Sequence, residues 1–120
     1  NATSALPLFP LVYKIECAGG ATANYDITVA EKCMVIDAYI VNNAAGDTSD
    51  TVQVTNGTGS NHITNAMSNA GAAGAVVAAS SLDGTHRNLA AGATLRVTQT
   101  DNSGSDAGAT SCYIIVLRTV

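Results

Sequence analysis

Two histidines, nine acidic residues, three cysteines and many serines and threonines are the chemically capable side chains of this 120-residue sequence. Acyl transfer needs a nucleophile on a strained turn, a histidine within hydrogen-bond reach and an acid to orient it. No Gly-x-Ser-x-Gly occurs, and His62 and His86 both lie in polar, loop-like stretches where a solvated ring is the simpler account. The segment Asp101-Asn102-Ser103-Gly104-Ser105-Asp106 sets oxygen donors at alternate positions around a glycine. A calcium loop begins that way, but it also needs a bidentate glutamate, which is missing here. Asp47 and Asp50 make a weaker set, and a polar hairpin loop has the same composition. No catalytic residue, metal or cofactor is therefore expected, and the chain reads as non-enzymatic.

Cys17, Cys33 and Cys112 show no CxxC or Cys/His spacing of the kind that holds zinc. A Cys17–Cys33 bridge would close a loop of about fifteen residues and stabilise by roughly 3 kcal/mol. Three small, buried, reduced thiols is the preferred reading. Asn1-Ala2-Thr3 and Asn56-Gly57-Thr58 match the glycosylation sequon, but a chain this rich in Asn, Ser and Thr matches it by chance. Sugar binding would use exposed aromatic platforms. The candidates, Tyr13, Tyr25, Tyr39 and Tyr113, all fall on strands, three of them on faces assigned to the core.

Composition bounds the scaffold that carries these side chains. The hydrophobic fraction is 47%, yet only 4% of residues are aromatic, so the core is expected to be thin and built from small branched side chains. Only 12% of residues are charged, against about 25% in an average soluble domain. A surface so poor in charge points to burial by other protein surfaces. The formal charge of −4 and the scatter of Lys14, Lys32, Arg87, Arg96 and Arg118 exclude a phosphate-tracking patch, so no nucleic acid is expected as partner. No run of 18 apolar residues is present, so no membrane-spanning helix is expected either. The start at Asn1-Ala2-Thr3, without Met, reads as a trimmed terminus without targeting information.

The organising stretch is Cys33–Asn42, rich in β-branched residues and apolar on both faces when read with a period of two. That is how a strand covered on both sides reads. Met34, Ile36, Ala38 and Ile40 share one predicted face, and Val35, Asp37, Tyr39 and Val41 the other. Residues 11–17 alternate with Leu11, Tyr13, Ile15 and Cys17 inward, and residues 24–29 with Tyr25, Ile27 and Val29 inward. Further strands are predicted at 51–55, 75–79, 94–100 and 112–120. Asn56-Gly57 and Asp83-Gly84 are turn signals, and 101–111 reads as a hairpin loop. Residues 57–74 read as an irregular crossing, with Ile63, Ala66 and Met67 at the spacing of a short helical turn.

The expected architecture is all-β: an antiparallel β-sandwich, more narrowly a jelly roll, over residues 11–120. Residues 1–10 form an extended arm, in which Pro7 and Pro10 bracket Leu8 and Phe9. Leu6, Leu8 and Phe9 are the predicted anchor to another subunit or to a larger shell. Loops 42–50 and 101–111 are expected to face solvent or that shell.

Several segments together carry a resemblance. They are Val35–Val41, Gly46-Asp47, Thr51–Gly57, His62–Ala66, Leu89–Val97 with its Ala-Gly-Ala-Thr-Leu-Arg-Val run, and the final strand Cys112–Thr119. In this rhythm residues 33–120 resemble the capsid decoration, or cement, proteins of tailed bacteriophages. The first thirty residues have no counterpart in the resemblance. It implies a β-sandwich homotrimer on the outside of the virion, bound to the major capsid protein and clamping neighbouring capsomers. Fibre or tail accessory domains, and secreted carbohydrate-binding modules, are the alternatives.

Overall fold

The computed structural model describes residues 10–47, 49–102 and 106–119. Its elements are the strands β1 (Pro10–Cys17), β2 (Ala23–Thr28), β3 (Cys33–Asn42), β4 (Thr51–Asn56), β5 (Met67–Ser68), β6 (Val76–Ala78), β7 (Asn88–Leu89), β8 (Thr94–Thr100) and β9 (Thr110–Arg118). No helix occurs among the described residues. Two antiparallel sheets face each other across one core. Sheet 1 has the order β1-β9-β3-β6, with β7 also paired to β3, and sheet 2 the order β2-β8-β4-β5. The expected all-β sandwich is thus the fold of this chain. The anchor residues Leu6, Leu8 and Phe9 lie outside the described residues. Pro10, assigned to the arm, already pairs with Leu117 in β1.

Strict alternation makes the inner faces. In β8, Leu95, Val97 and Gln99 are buried and the residues between them are not. The same rule brings Ile114 and Val116 of β9, and Ala38 and Ile40 of β3, into the core. The largest fully buried side chains are of Ile, Leu or Met size, with no buried aromatic among them. The core is therefore as thin as the composition requires.

The structure corrects three local expectations and decides a fourth point, the cysteine pairing. First, β3 carries a bulge between Val35 and Asp37. The inserted residue reverses the alternation, so Val35, Ala38 and Ile40 face the core, and Met34, Asp37, Tyr39 and Val41 face outward. Secondly, residues 101–109 are not a hairpin, because β8 belongs to sheet 2 and β9 to sheet 1. Consecutive strands pair only at β4–β5. Thirdly, the helical spacing of Ile63, Ala66 and Met67 does not make a helix. Ile63 and Met67 are buried, in a bridge-and-strand stretch that returns beside β4. Fourthly, Cys17 and Cys33 cannot be bridged. They lie on β1 and β3, on either side of β9 and at its opposite ends, so even the strand spacing separates them by about 9.6 Å. All three thiols are free and buried, as the preferred reading held.

Candidate interaction surface

The two outer faces of the sandwich are unlike. On sheet 2 the outward positions of β2 and β8 are Asn24, Asp26 and Thr28 beside Thr98, Arg96 and Thr94. Arg96 donates to both carboxylate oxygens of Asp26, at 2.7 and 2.8 Å, and Thr98 Oγ1 donates to Asn24 Oδ1 at 2.8 Å. The hydrogen bond from Arg96 holds the Asp26 carboxyl below its ordinary range. Gln53 of β4 continues this face, donating to the Thr64 carbonyl at 2.9 Å. Each outward group here is polar and most are satisfied within the sheet, which makes a surface at home in water.

Sheet 1 presents the opposite. Its register lays out rows across the strands: Pro10, Leu117 and Met34, then Val12, Ile115 and Asp37, then Lys14, Tyr113, Tyr39 and Ala78, then Glu16, Ser111, Val41 and Val76. Val12 is 57% exposed and Val76 62%. The charges lie on β1 and at the β3 bulge. Lys14 and Glu16 pair at 3.0 Å, and Ser111 Oγ donates to Glu16 at 2.9 Å. That pairing lowers the Glu16 pKa and raises that of Lys14. The apolar middle of the face has no covering element among the described residues. Both-face apolarity in β3 and β9 is therefore real, and among the described residues only the inner face is covered.

Tyr39 and Tyr113 are directly opposite each other on this outer face, stacked with centroids 5.0 Å apart and planes 15° from parallel. They are not core residues. Alternation counted straight from buried Val35 would place Tyr39 inward; the bulge turns it outward, and its partner in β9, 74 positions away, is revealed only by the register. The second face of Tyr113 lies under the Lys14 ammonium, 5.8 Å from the ring centroid. With one face of its ring against Tyr39 and the other under Lys14, Tyr113 has no free face to offer a sugar.

At one end of the sandwich the polar loops are tied together. Loop 42–50 and residues 101–109, expected to be solvent- or shell-facing, meet there over buried Asn42, Asp50, Asn69, Gln99 and Thr110. Gln99 Nε2 donates to the Gly108 carbonyl at 2.7 Å and its Oε1 accepts from Gly19 N–H at 3.0 Å. Asn42 Nδ2 donates to the carbonyls of Asn69, at 3.2 Å, and Gly71, at 3.0 Å. Asp50 Oδ1 accepts from Asn102 N–H at 2.9 Å. The described parts of these loops are joined by buried amides, whose burial a loop reading of polar residues could not foresee.

Among the described candidates one acid meets a histidine, Asp83 Oδ1 lying 3.3 Å from His86 Nδ1 within a single turn, and no serine, threonine or cysteine nucleophile joins that pair in the contacts described. Asp83 accepts from the backbone N–H groups of His86 and Thr85, at 2.8 and 2.9 Å, which locks a turn and lowers its pKa. His62 Nδ1 lies 3.3 Å from Thr55 Oγ1, with no acid oriented on it among the described contacts. No group of three or more His, Cys, Asp or Glu side chains gathers among the described residues. Positions 103–105 of the possible calcium loop lie outside them. Burial pushes the thiols of Cys17 and Cys112 up to about 12, far from nucleophilic. Comparison with known proteins finds no protein-family model, no curated protein and no solved structure that matches this chain.

Proposed function

We propose that this chain is a structural protein of a bacteriophage particle, bound as a trimer to the outside of the head and stabilising the shell. One observation carries the reading: every row of the outer face of sheet 1 holds two or more apolar or aromatic side chains, with charge confined to Lys14, Glu16 and Asp37, while the outward positions of β2 and β8 on sheet 2 are all polar. A folded domain needs one apolar face per sheet; a second one suits a protein whose surroundings are other proteins. The sparse charge of the chain supports the same reading. So does the resemblance of residues 33–120 to decoration proteins. We read the sandwich as a jelly roll, which the orders β1-β9-β3-β6 and β2-β8-β4-β5 support, since successive strands mostly change sheet.

The mechanism is multivalent attachment. Each protomer contributes a modest contact, and linkage within the trimer makes simultaneous release rare. Leu6, Leu8 and Phe9 are the proposed anchor, with the amide-knotted loops 42–50 and 101–109 as a rigid end. The test is co-sedimentation of the full chain with phage heads lacking a decoration protein, with and without residues 1–9. The full chain should bind and raise the temperature at which heads rupture. The truncated chain should keep its β-sheet circular dichroism and bind more weakly. A full chain that leaves heads unbound and no more heat-resistant refutes the function, and equal binding by the truncated chain refutes the anchor.

A further inference from the structure

We infer that the outer face of sheet 1 holds a receptor for an arginine of a partner protein. The guanidinium lies flat on the free face of the Tyr39 ring, above Ala78, and pairs with the Asp37 carboxylate. That the arginine belongs to a protein rests on the structural role proposed above; the receptor itself rests on the geometry of one row.

Lys14, Tyr113, Tyr39 and Ala78 are partners in register across β1, β9, β3 and β6. The two rings are 5.0 Å apart and 15° from parallel. That separation matches the ~4.8 Å between neighbouring strands, so each ring stands over its own strand with its faces turned to the strands on either side. Tyr113 has both faces occupied, by Tyr39 and by the Lys14 ammonium. The second face of Tyr39 looks toward β6. The residue opposite it there is Ala78, exposed and with a single methyl group, too short to cover a ring. No second ring and no cation meets that face among the described residues. The stack therefore has a cation at one end and an open aromatic surface at the other.

The bulge in β3 supplies the charge. By shifting the alternation between Val35 and Asp37 it turns Asp37 as well as Tyr39 outward, two positions apart on one face. Asp37 Oδ1 accepts from the Ala38 N–H at 2.8 Å, and no cation pairs with the carboxylate among the described residues. Arg87 comes to the same bulge but spends its Nε on the Val35 carbonyl, at 3.0 Å. Lys14 is already matched by Glu16, so Asp37 leaves the four rows of this face one negative charge in excess, on a chain of net charge −4. Charge complementarity thus selects a basic segment as occupant. Arginine fits it best, because a planar guanidinium stacks on a ring, forks onto a carboxylate and sheds water more readily than an ammonium. Positions two apart on a strand are about 7 Å apart, within the span of one guanidinium and its two contacts. Val41 and Val76, opposite each other on the next row, flank the place of the methylene stem. A sugar would need donors and acceptors around its rim, and the side chains of Val41, Val76 and Ala78 have none.

The test is NMR titration of the full chain with a hexa-arginine peptide at low ionic strength. The Tyr39 ring and Asp37 should shift and saturate, and hexa-lysine of equal charge should bind about twofold more weakly or worse. Asp37→Asn should weaken hexa-arginine by about two- to fivefold. Asp106→Asn, an equal loss of charge at another exposed acid, should leave it unchanged. Ala78→Leu fills the space over the ring without altering charge and should abolish the Tyr39 shifts. Circular dichroism melting checks that the variants fold, and Tyr39→Leu replaces Ala78→Leu if the latter melts early. A Tyr39 ring left unmoved by hexa-arginine overturns the inference. So does binding that survives Asp37→Asn or the filled space, lysine equal to arginine, or a ring that shifts only with a neutral sugar such as maltose. Head co-sedimentation is read separately. A chain that binds the peptide and ignores heads supports the receptor and overturns the function, whereas a chain that binds heads and ignores the peptide supports the function and overturns the receptor.

Discussion

Gly46→Ala should be among the most damaging single substitutions in the described part of the chain, and the structure gives the reason in distances. A Cβ at position 46 would lie 1.6 Å from the Asn69 carbonyl oxygen and 2.7 Å from its carbonyl carbon. Both are backbone atoms, so no side-chain rotation relieves the overlap. A tolerable contact requires the loop and Asn69 to part by roughly 1.5–2 Å. Around that point run Gly46 N–H to the Gly71 carbonyl at 3.2 Å, Asn69 N–H to the Asp50 carbonyl at 3.1 Å and Asn42 Nδ2 to the Asn69 carbonyl at 3.2 Å. Asn69 Nδ2 to the Gly108 carbonyl adds a fourth bond at 3.3 Å. Such a displacement carries two or three of these beyond bonding range, at about 1–3 kcal/mol for each buried group left unsatisfied. A loss of about 3–6 kcal/mol is a large part of the ~6–18 kcal/mol that stabilises a domain of this length. At about 4 °C per kcal/mol, the midpoint should fall by roughly 12–24 °C. The assay is thermal unfolding by calorimetry or circular dichroism, with Gly84→Ala as control. A Cβ at position 84 meets nothing within 4 Å, so that change should stay within about 0.5 kcal/mol. A midpoint for Gly46→Ala within about 3 °C of the unaltered protein would show that the knot at this end is not rigid.

Neighbouring positions on β9 should separate folding from assembly. Ile114 is fully buried and Ile115 points outward, so Ile114→Ala should cost about 2–5 kcal/mol in urea unfolding, while Ile115→Ala should leave the fold nearly unchanged and weaken self-association in sedimentation. Equal stability losses at the two sites would refute the outward assignment. The buried thiols make a pH prediction of definite sign. Cys17 and Cys112 titrate near 12 in the fold against an ordinary value of 9.0, so below about pH 9 neither state loses a proton and the slope is nil. Above it the unfolded chain ionises first, and stability should fall by up to ~1.4 kcal/mol per pH unit per thiol until the folded thiols titrate. A urea midpoint that is flat from pH 8 to pH 10.5 would contradict this, as would rapid labelling of the native thiols by a disulfide reagent at pH 8.

Strands were legible wherever alternation ran for six residues or more. Residues 94–100 were read at their full length, and residues 11–17 and 24–29 to within a residue or two. What escaped was anything set by a partner distant in sequence. The bulge at Ile36 leaves no mark in composition, yet it changes which half of β3 faces water. The hairpin expected at 101–111 failed because a polar Gly/Ser loop does not say which sheet the chain enters next, and here it leads from sheet 2 to sheet 1. Strands β5, β6 and β7, of two or three residues, are too short to display any period. Nothing in the local sequence marks Asn42 and Asn69 as buried amides, while Gln99 follows Leu95 and Val97 on the inward period of β8. All three amides are buried because their partners are backbone groups of segments up to 80 residues away.

The difference between the outer faces bears on why the sequence keeps an apolar surface at all. Sheet 2 demonstrates that this chain can build a water-compatible face from Thr, Asn and one Asp–Arg pair without disturbing the core beneath. The same alternation was open to β9, whose outward positions are instead Leu117, Ile115 and Tyr113. Those residues add nothing to the inner core, which is already closed by Ile114 and Val116 on the other side of the strand. In a solitary domain they would invite sheet stacking and aggregation without adding to the core. Only a second surface laid against them turns that liability into stabilisation. The edges repeat the contrast, with one side of sheet 1 cut to two- and three-residue strands and the other left eight residues long. The contrast between a polar sheet 2 face and a sheet 1 face that keeps Val12, Ile115, Leu117 and Val76 is what the proposed structural role would use.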